Sequence, residues 1–239
     1  MIREPASKCV AANSPVSLVR SLDVAARHIT AADARMGALI DAVGPCTIAV
    51  RRGRYAALVR SVVGQQVSTA AARTIYARLQ AAAGGRVAAA TIGAVDDTVL
   101  RGAGLSRQKV SSVRDLTERV VSGDVNLQRL SALDDEAVIA ELTRVRGIGR
   151  WTAEMFLMFV LLRGDVLPVD DLGIQNGFRN VYRMRDRPGA ERMRKLARAW
   201  RPWRTVGCWY LWRSLDLPVI AANAPRPSVP SRQGRPSAR

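Results

Sequence analysis

Two neighbouring carboxylates, Asp170 and Asp171, stand in the run LPVDDLGI, with Asp171 twenty residues beyond the tryptophan that closes the run RGIGRW at Trp151. Paired acids ahead of an apolar-periodic segment suit two tasks. One is capping the helix that follows, the usual place for aspartate before such a segment. The other is supplying a fixed negative charge to a site of chemistry. Free N–H groups and the helix dipole keep an aspartate ionised at a helix start, so the position serves either task.

The elements that must position these acids can be read around them. Leu142 to Phe178 reads as a helix, a tight turn, a second helix and a short connection that delivers the carboxylates to a further helix. The turn is Val145-Arg146-Gly147-Ile148-Gly149. Its two glycines are expected to take positive φ and to present backbone N–H groups at a helix start, an arrangement that suits phosphate. The same G-x-G pattern also suits a plain αα-corner. Beyond it, Trp151, Met155 and Met158 recur at helical spacing and Phe156, Phe159 and Val160 supply a second apolar side, so this helix is expected to be buried on most of its circumference.

Charge narrows the partner. The 239 residues carry 37 basic and 20 acidic side chains, a net charge of +17, and only Lys8, Lys109 and Lys195 are lysines. A field of that size fits a polyanion better than a small metabolite. The longest apolar run, Met155 to Leu162, is too short for a membrane span, and the N-terminus has no apolar stretch suited to secretion, so a cytoplasmic protein without a membrane partner is expected. Cys9, Cys46 and Cys208 are odd in number and show no C-x-x-C spacing, which points to neither a disulfide framework nor a thiolate metal site.

Helical periodicity dominates the remaining chain, and the expected fold is all-α. Residues 1–16 read as a mobile tail. Helices follow at Ser17–Arg27 and Ala31–Val43, with Thr30 placed to cap the second and His28 between them; Pro45 to Arg52 reads as a short extended structural segment. Tyr55 to Val63 leads through Gly64-Gln65-Gln66-Val67-Ser68 into a helix ending at Gly84-Gly85. A further helix pair turns at Gly102-Ala103-Gly104, where Arg101, Arg107, Lys109 and Arg114 gather as a second phosphate contact. Asp134 to Arg144 opens the hairpin, and the last helix, from Arg201-Pro202, is rich in tryptophan. Residues 221–239 read as a disordered basic tail. The helices divide into a central lobe, 54–164, with the helix-hairpin-helix over about 134–162, and a terminal lobe made of 17–53 and 165–220.

GIGRWTA followed by LPVDDLGI, with RPWR and a tryptophan-rich end, resembles the helix-hairpin-helix DNA glycosylases, nearest to the alkylbase branch typified by DNA-3-methyladenine glycosylase II. The resemblance spans roughly Arg54 to Leu215. It implies a two-lobed all-α fold with the active-site cleft between the lobes. It implies a monomer that works on double-stranded DNA and hydrolytically excises flipped, alkylated, cationic bases such as 3-methyladenine and 7-methylguanine, beginning base excision repair. Residue by residue it makes Asp171 catalytic, with Asp170 a supporting cap, and Trp151, Met155 and Trp212 the base pocket. Gln66 is the wedge that fills the vacated stack; Arg146, Gly147, Gly149 and Arg150 hold phosphate. No cofactor is required, although the backbone carbonyls of Thr143, Val145 and Ile148 offer a place for Na+, K+ or Mg2+, and three cysteines cannot supply the four-cysteine iron–sulfur cluster of some relatives. Bifunctional relatives carry a lysine after G-x-G-R, where this chain has Trp151, so base release without strand cleavage is expected. Met155 and Gln66 depart from the prototype, which has an aromatic and an apolar residue there. Excision of oxidised or mismatched bases, or DNA binding without catalysis, are the alternatives; a carboxylate facing an aromatic pocket speaks for an enzyme.

Overall fold

The structure, a computed structural model, describes residues 15–217, and all regular secondary structure in that range is helical. Helices α1 (Pro15–Arg20), α2 (Leu22–Ala32) and α3 (Ala34–Val43) precede a segment without regular structure over residues 45–52. Helices α4 (Arg54–Gly64), α5 (Thr69–Ala82), α6 (Ala89–Gly93), α7 (Asp97–Gly102) and α8 (Arg107–Ser122) follow. The hairpin is α9 (Asp135–Thr143) and α10 (Arg150–Phe159), and α11 (Leu172–Val181), α12 (Ala190–Leu196) and α13 (Arg204–Arg213) complete the chain. Local chemistry sets many of these boundaries. Ser68, Ser106 and Asp134 each accept a backbone N–H at the starts of α5, α8 and α9, and Gly123, at φ 83°, stops α8 in the left-handed conformation.

Helices α4 to α8 pack on one another, with Leu58, Val59, Val62, Leu100, Val113 and Leu116 fully buried among them. The N-terminal pair α2 and α3 packs instead against α11 and α13, at the other end of the chain. Helix α10 touches both α9 and α4. The backbone of the 45–52 segment is tied to α10, where the Arg51 N–H donates to the Phe159 carbonyl at 2.9 Å. The proposed tails fall outside the described residues, except that Pro15 and Val16 already begin α1.

One boundary differs from the sequence reading. The break between α2 and α3 falls at Asp33, not at Thr30, and His28 sits inside α2 with Nε2 3.2 Å from the Ala199 carbonyl oxygen. Asp33 decides the boundary because it has far more to bind. Its Oδ1 accepts the N–H groups of Arg35 and Met36, while Oδ2 accepts from the Tyr182 hydroxyl and from Trp200 Nε1 at 3.1 Å. One side chain thereby caps α3 and fastens it to the C-terminal helices. Partial burial, and then this carboxylate, hold the Tyr182 hydroxyl far above the usual tyrosine range. Asp33→Ala removes a cap worth about 1 kcal/mol and strands two donors at about 1–3 kcal/mol each. Urea unfolding is expected to show a loss of roughly 3–7 kcal/mol, with Asp33→Asn losing less; an unchanged midpoint for the alanine variant would refute this account.

Candidate active site

Asp171 is the N-cap of α11, and its carboxylate is the meeting point of three helices. Oδ1 accepts the Ile174 N–H at 2.7 Å and Trp212 Nε1 at 2.9 Å; Oδ2 accepts Trp151 Nε1 at 2.7 Å. The three donors come from the starts of α11 and α10 and the end of α13. Gly173 makes the last approach possible, since a Cβ there would lie 2.8 Å from Trp212 Cδ1 and 3.0 Å from Asp171 Oδ1. Asp170, expected to be the supporting cap, is not one. It is exposed, and the cap bond belongs to Asp171 because only that residue directly precedes the first helical turn.

The carboxylate borders a cavity of about 470 Å³ whose walls include Trp151, Met155, Phe159 and Trp212. Met155 is buried, and Trp151, 41% exposed, is the most open large aromatic among the described residues. Phe159 lies two helical turns beyond Trp151 and packs on Trp212, with ring centroids 5.8 Å apart. The sequence reading counted it only as apolar packing. Its spacing of eight from Trp151 is the signal that places it on the same face. Arg51, from the 45–52 segment, also lines this cavity and an adjoining one of about 450 Å³. No motif marked that segment.

The hairpin turn is more selective than its sequence suggests. Gly147 takes φ 75°, where an added Cβ would run into the Ser112 hydroxyl, whereas Gly149 is the N-cap of α10 at φ −93°, with open space around it. Only the first glycine is therefore there for the left-handed conformation. The Arg146 N–H donates to Asp115 at 2.8 Å and the Ile148 N–H to the Val145 carbonyl at 3.1 Å. The N–H groups of Gly147, Gly149 and Arg150 have no partner among the described residues and stand at the start of α10, the arrangement that binds anions. Among the side chains, Arg146 bonds only the Ser111 hydroxyl at 2.9 Å. Arg150, expected to hold phosphate, spends its guanidinium on Glu136 in a two-pronged pair at 2.5 and 3.0 Å and on Glu154 at 3.2 Å, so it brings the hairpin only its backbone N–H.

Gln66 sits at the turn between α4 and α5 with φ 55° and an exposed side chain that bonds nothing described. Its neighbour Gln65 donates from Nε2 to the Gly147 carbonyl at 2.9 Å, which joins this turn to the hairpin. The expected second phosphate cluster is partly spent. Lys109 Nζ donates to the Val63 carbonyl at 2.7 Å and Arg114 pairs with Asp97 at 2.7 Å, because both side chains close the gaps between helix ends; Arg101 and Arg107 make no such bond.

A family model for HhH-GPD superfamily base excision DNA repair proteins matches residues 59–202. The chain belongs to that superfamily. Schizosaccharomyces pombe DNA-3-methyladenine glycosylase 1 is 34% identical over 79% of this chain and 86% of its own length. A solved structure of the S. pombe 3-methyladenine glycosylase with abasic DNA superposes with a TM-score of 0.73 at 33% identity, covering 81% of this chain and 97% of that one. A DNA-3-methyladenine glycosidase structure from Bacillus halodurans gives 0.72 at 36% identity, covering 80% and 88%. The all-α two-lobed glycosylase fold expected from the sequence is thus the fold of this superfamily member.

Behind the hairpin the same helix carries a buried acid. Glu154, 4% exposed, leaves Oε2 without a partner, and burial pushes its carboxyl up to about 7 against the opposing pull of Arg150. The folded protein therefore keeps a proton that the unfolded chain releases at an ordinary carboxyl value. Stability from this group is fully present below about pH 4.5 and is lost as pH rises towards 7, a swing of about 3 kcal/mol. Glu154→Gln should flatten that slope, so its unfolding free energy relative to the parent rises between pH 4.5 and 7 and then levels; a constant difference across that range would contradict the assignment. At the turn, Gly147→Ala should destabilise by about 1–3 kcal/mol through strain and the Ser112 clash. In the double variant with Ser112→Ala the loss should shrink to about 1 kcal/mol or a little more, the cost of the left-handed conformation together with the 3.0 Å approach of the remaining Cβ at position 112; full recovery by thermal denaturation would mean the hydroxyl clash was everything.

Proposed function

We propose that this protein is a monofunctional DNA glycosylase that extrudes alkylated, cationic bases such as 3-methyladenine and 7-methylguanine from double-stranded DNA and hydrolyses their N-glycosidic bonds. The observation that carries the reading is the Asp171 carboxylate, fixed by two indole N–H groups at the wall of an aromatic cavity beside the hairpin. A base inside a duplex is out of reach, so a nucleotide must be held, extruded and received. The free N–H groups of Gly147, Gly149 and Arg150 hold phosphate, assisted by the Arg146 guanidinium. Gln66, exposed on its strained turn, fills the vacated stack. Trp151, Met155, Phe159 and Trp212 receive the base, and π faces favour a cation by roughly 0.5–2 kcal/mol.

A cationic base leaves as a neutral molecule and needs no acid. The sugar left behind gains positive charge at C1′, and Asp171 supplies the opposing charge while water adds there. Strand cleavage through a Schiff base has no amine at the position where bifunctional relatives carry their lysine: Trp151 stands after G-x-G-R, and Lys109 is bound to the Val63 carbonyl. A cation is proposed at the carbonyls of Thr143, Val145 and Ile148. The Thr143 and Ile148 oxygens accept no hydrogen bond among the described residues, and that of Val145 retains one lone pair beyond its bond from Ile148. Such an ion would bring positive charge towards a DNA phosphate. The protein is read as acting as a monomer on cytoplasmic DNA; no described helix is long and apolar enough to cross a membrane.

The test is single-turnover base release from alkylated duplex together with binding to abasic-site DNA. Asp171→Asn removes the charge but does not leave the site otherwise intact. Its amide keeps one oxygen for Ile174 and Trp212, while its NH2 confronts the Trp151 N–H, donor to donor. Release of 3-methyladenine should fall by about 100-fold or more while DNA affinity persists. Asp170→Asn, on an exposed residue without a cap bond, should keep both release and stability near the parent's. Near-parental release by Asp171→Asn would sink the mechanism.

A further inference from the structure

Arg51 stands on another wall of the cavity that holds Asp171. Its backbone is fixed by the bond to the Phe159 carbonyl, and its guanidinium carbon lies over the Phe159 ring, 5.2 Å from the centroid. It pairs with no carboxylate among the described residues, and no ion pair joins it to Asp171 although the two face one space. A cavity suited to cations by its aromatic rings thus already has a cation on the ring face of Phe159. A guanidinium without a carboxylate partner also offers five N–H donors in a planar fork, which serve a carbonyl oxygen that gains negative charge better than the ring nitrogens of a base that departs neutral.

We propose that Arg51 is a specificity-determining residue: it stabilises the negative charge that builds on a departing base, and so favours release of neutral bases carrying a ring carbonyl relative to cationic ones. The proposal rests on the glycosylase reading above. When the C1′–N bond breaks, its electron pair leaves with the base. The sugar becomes positive and the charge on the base falls by one. Water oxygen forms the new bond to C1′, and the proton it loses reaches the base through solvent. Asp171 answers the charge on the sugar and Arg51 the charge on the base, from different walls of the one cavity. A cationic base departs neutral, and Arg51 then weakens binding of the substrate about as much as it speeds departure. A neutral base departs as an anion, and there Arg51 favours the transition state over both free and bound substrate. Arg51 therefore sets which bases are released efficiently, and a plain packing role would make no such distinction.

Single-turnover kinetics on duplexes carrying either hypoxanthine, neutral with a carbonyl, or 3-methyladenine, cationic without one, separates the cases. Arg51→Met, which keeps an apolar stem on Phe159, should lower the second-order constant for hypoxanthine by about 10-fold or more. For 3-methyladenine it should change by less than about 3-fold, a lower maximal rate being offset by a lower half-saturation. Arg51→Lys, which keeps the charge and loses the fork, should recover part of the hypoxanthine activity. Equal losses on both lesions, or no loss on either, would overturn the proposal. Release of 3-methyladenine but not hypoxanthine by the parent would overturn it too and leave the glycosylase reading standing, whereas a parent that releases neither refutes that reading and this one together.

Discussion

Three N–H donors on one carboxylate hold the site together. An ionised carboxylate offers about four lone-pair positions, and Ile174, Trp212 and Trp151 occupy three of those on Asp171. The partly buried charge is therefore satisfied without an arginine, which would have cancelled the field that the chemistry needs. Two of the three donors belong to rings that wall the cavity. Charge and shape are set by the same bonds, and both depend on α11 and α13 approaching closely enough that only glycine fits at positions 173 and 177, the latter against Leu211.

The reverse side of α10 obeys a different rule. Arg150, Glu136 and Glu154 bind the two hairpin helices together with charge, at the expense of a buried and half-satisfied carboxylate. Such groups cost more to bury than they return unless fully paired. What this arrangement supplies is a fixed relation between α9 and α10, and hence the direction in which the free N–H groups of the turn point. A strongly basic chain does not commit every arginine to its polyanion. Arg150, Arg114, Arg163 and Arg204 are occupied inside the protein, and the field comes from those left over.

Much of this was legible in the sequence because the chemistry is local. Glycines, a tryptophan and two aspartates fall within one stretch, so the family resemblance could be carried onto Asp171, Trp151 and the hairpin residue by residue, and the all-α class followed from periodicity. Most of the misses are matters of partners distant in the chain. Asp170 and Asp171 are interchangeable as caps on paper, and only the position of the first helical turn separates them. Arg150 looks like a phosphate ligand until Glu136, fourteen residues earlier, is brought beside it. Asp33 binds Tyr182 and Trp200, more than 140 residues away, and no periodicity in residues 17–43 reveals that. Arg51 lies in a segment with neither motif nor regular structure, and only the fold carries it to the cavity.

The bond from Gln65 to the Gly147 carbonyl ties the turn that bears Gln66 to the turn that bears the anion-binding N–H groups. Two loops from distant parts of the chain thereby behave as the jaws of one caliper with a set gap. A caliper of fixed opening reads every step along a regular polymer at the same offset. It registers a fault as a step that yields to the same pressure sooner than its neighbours. Discrimination can then begin with the compliance of the stack, before any base has met the aromatic rings.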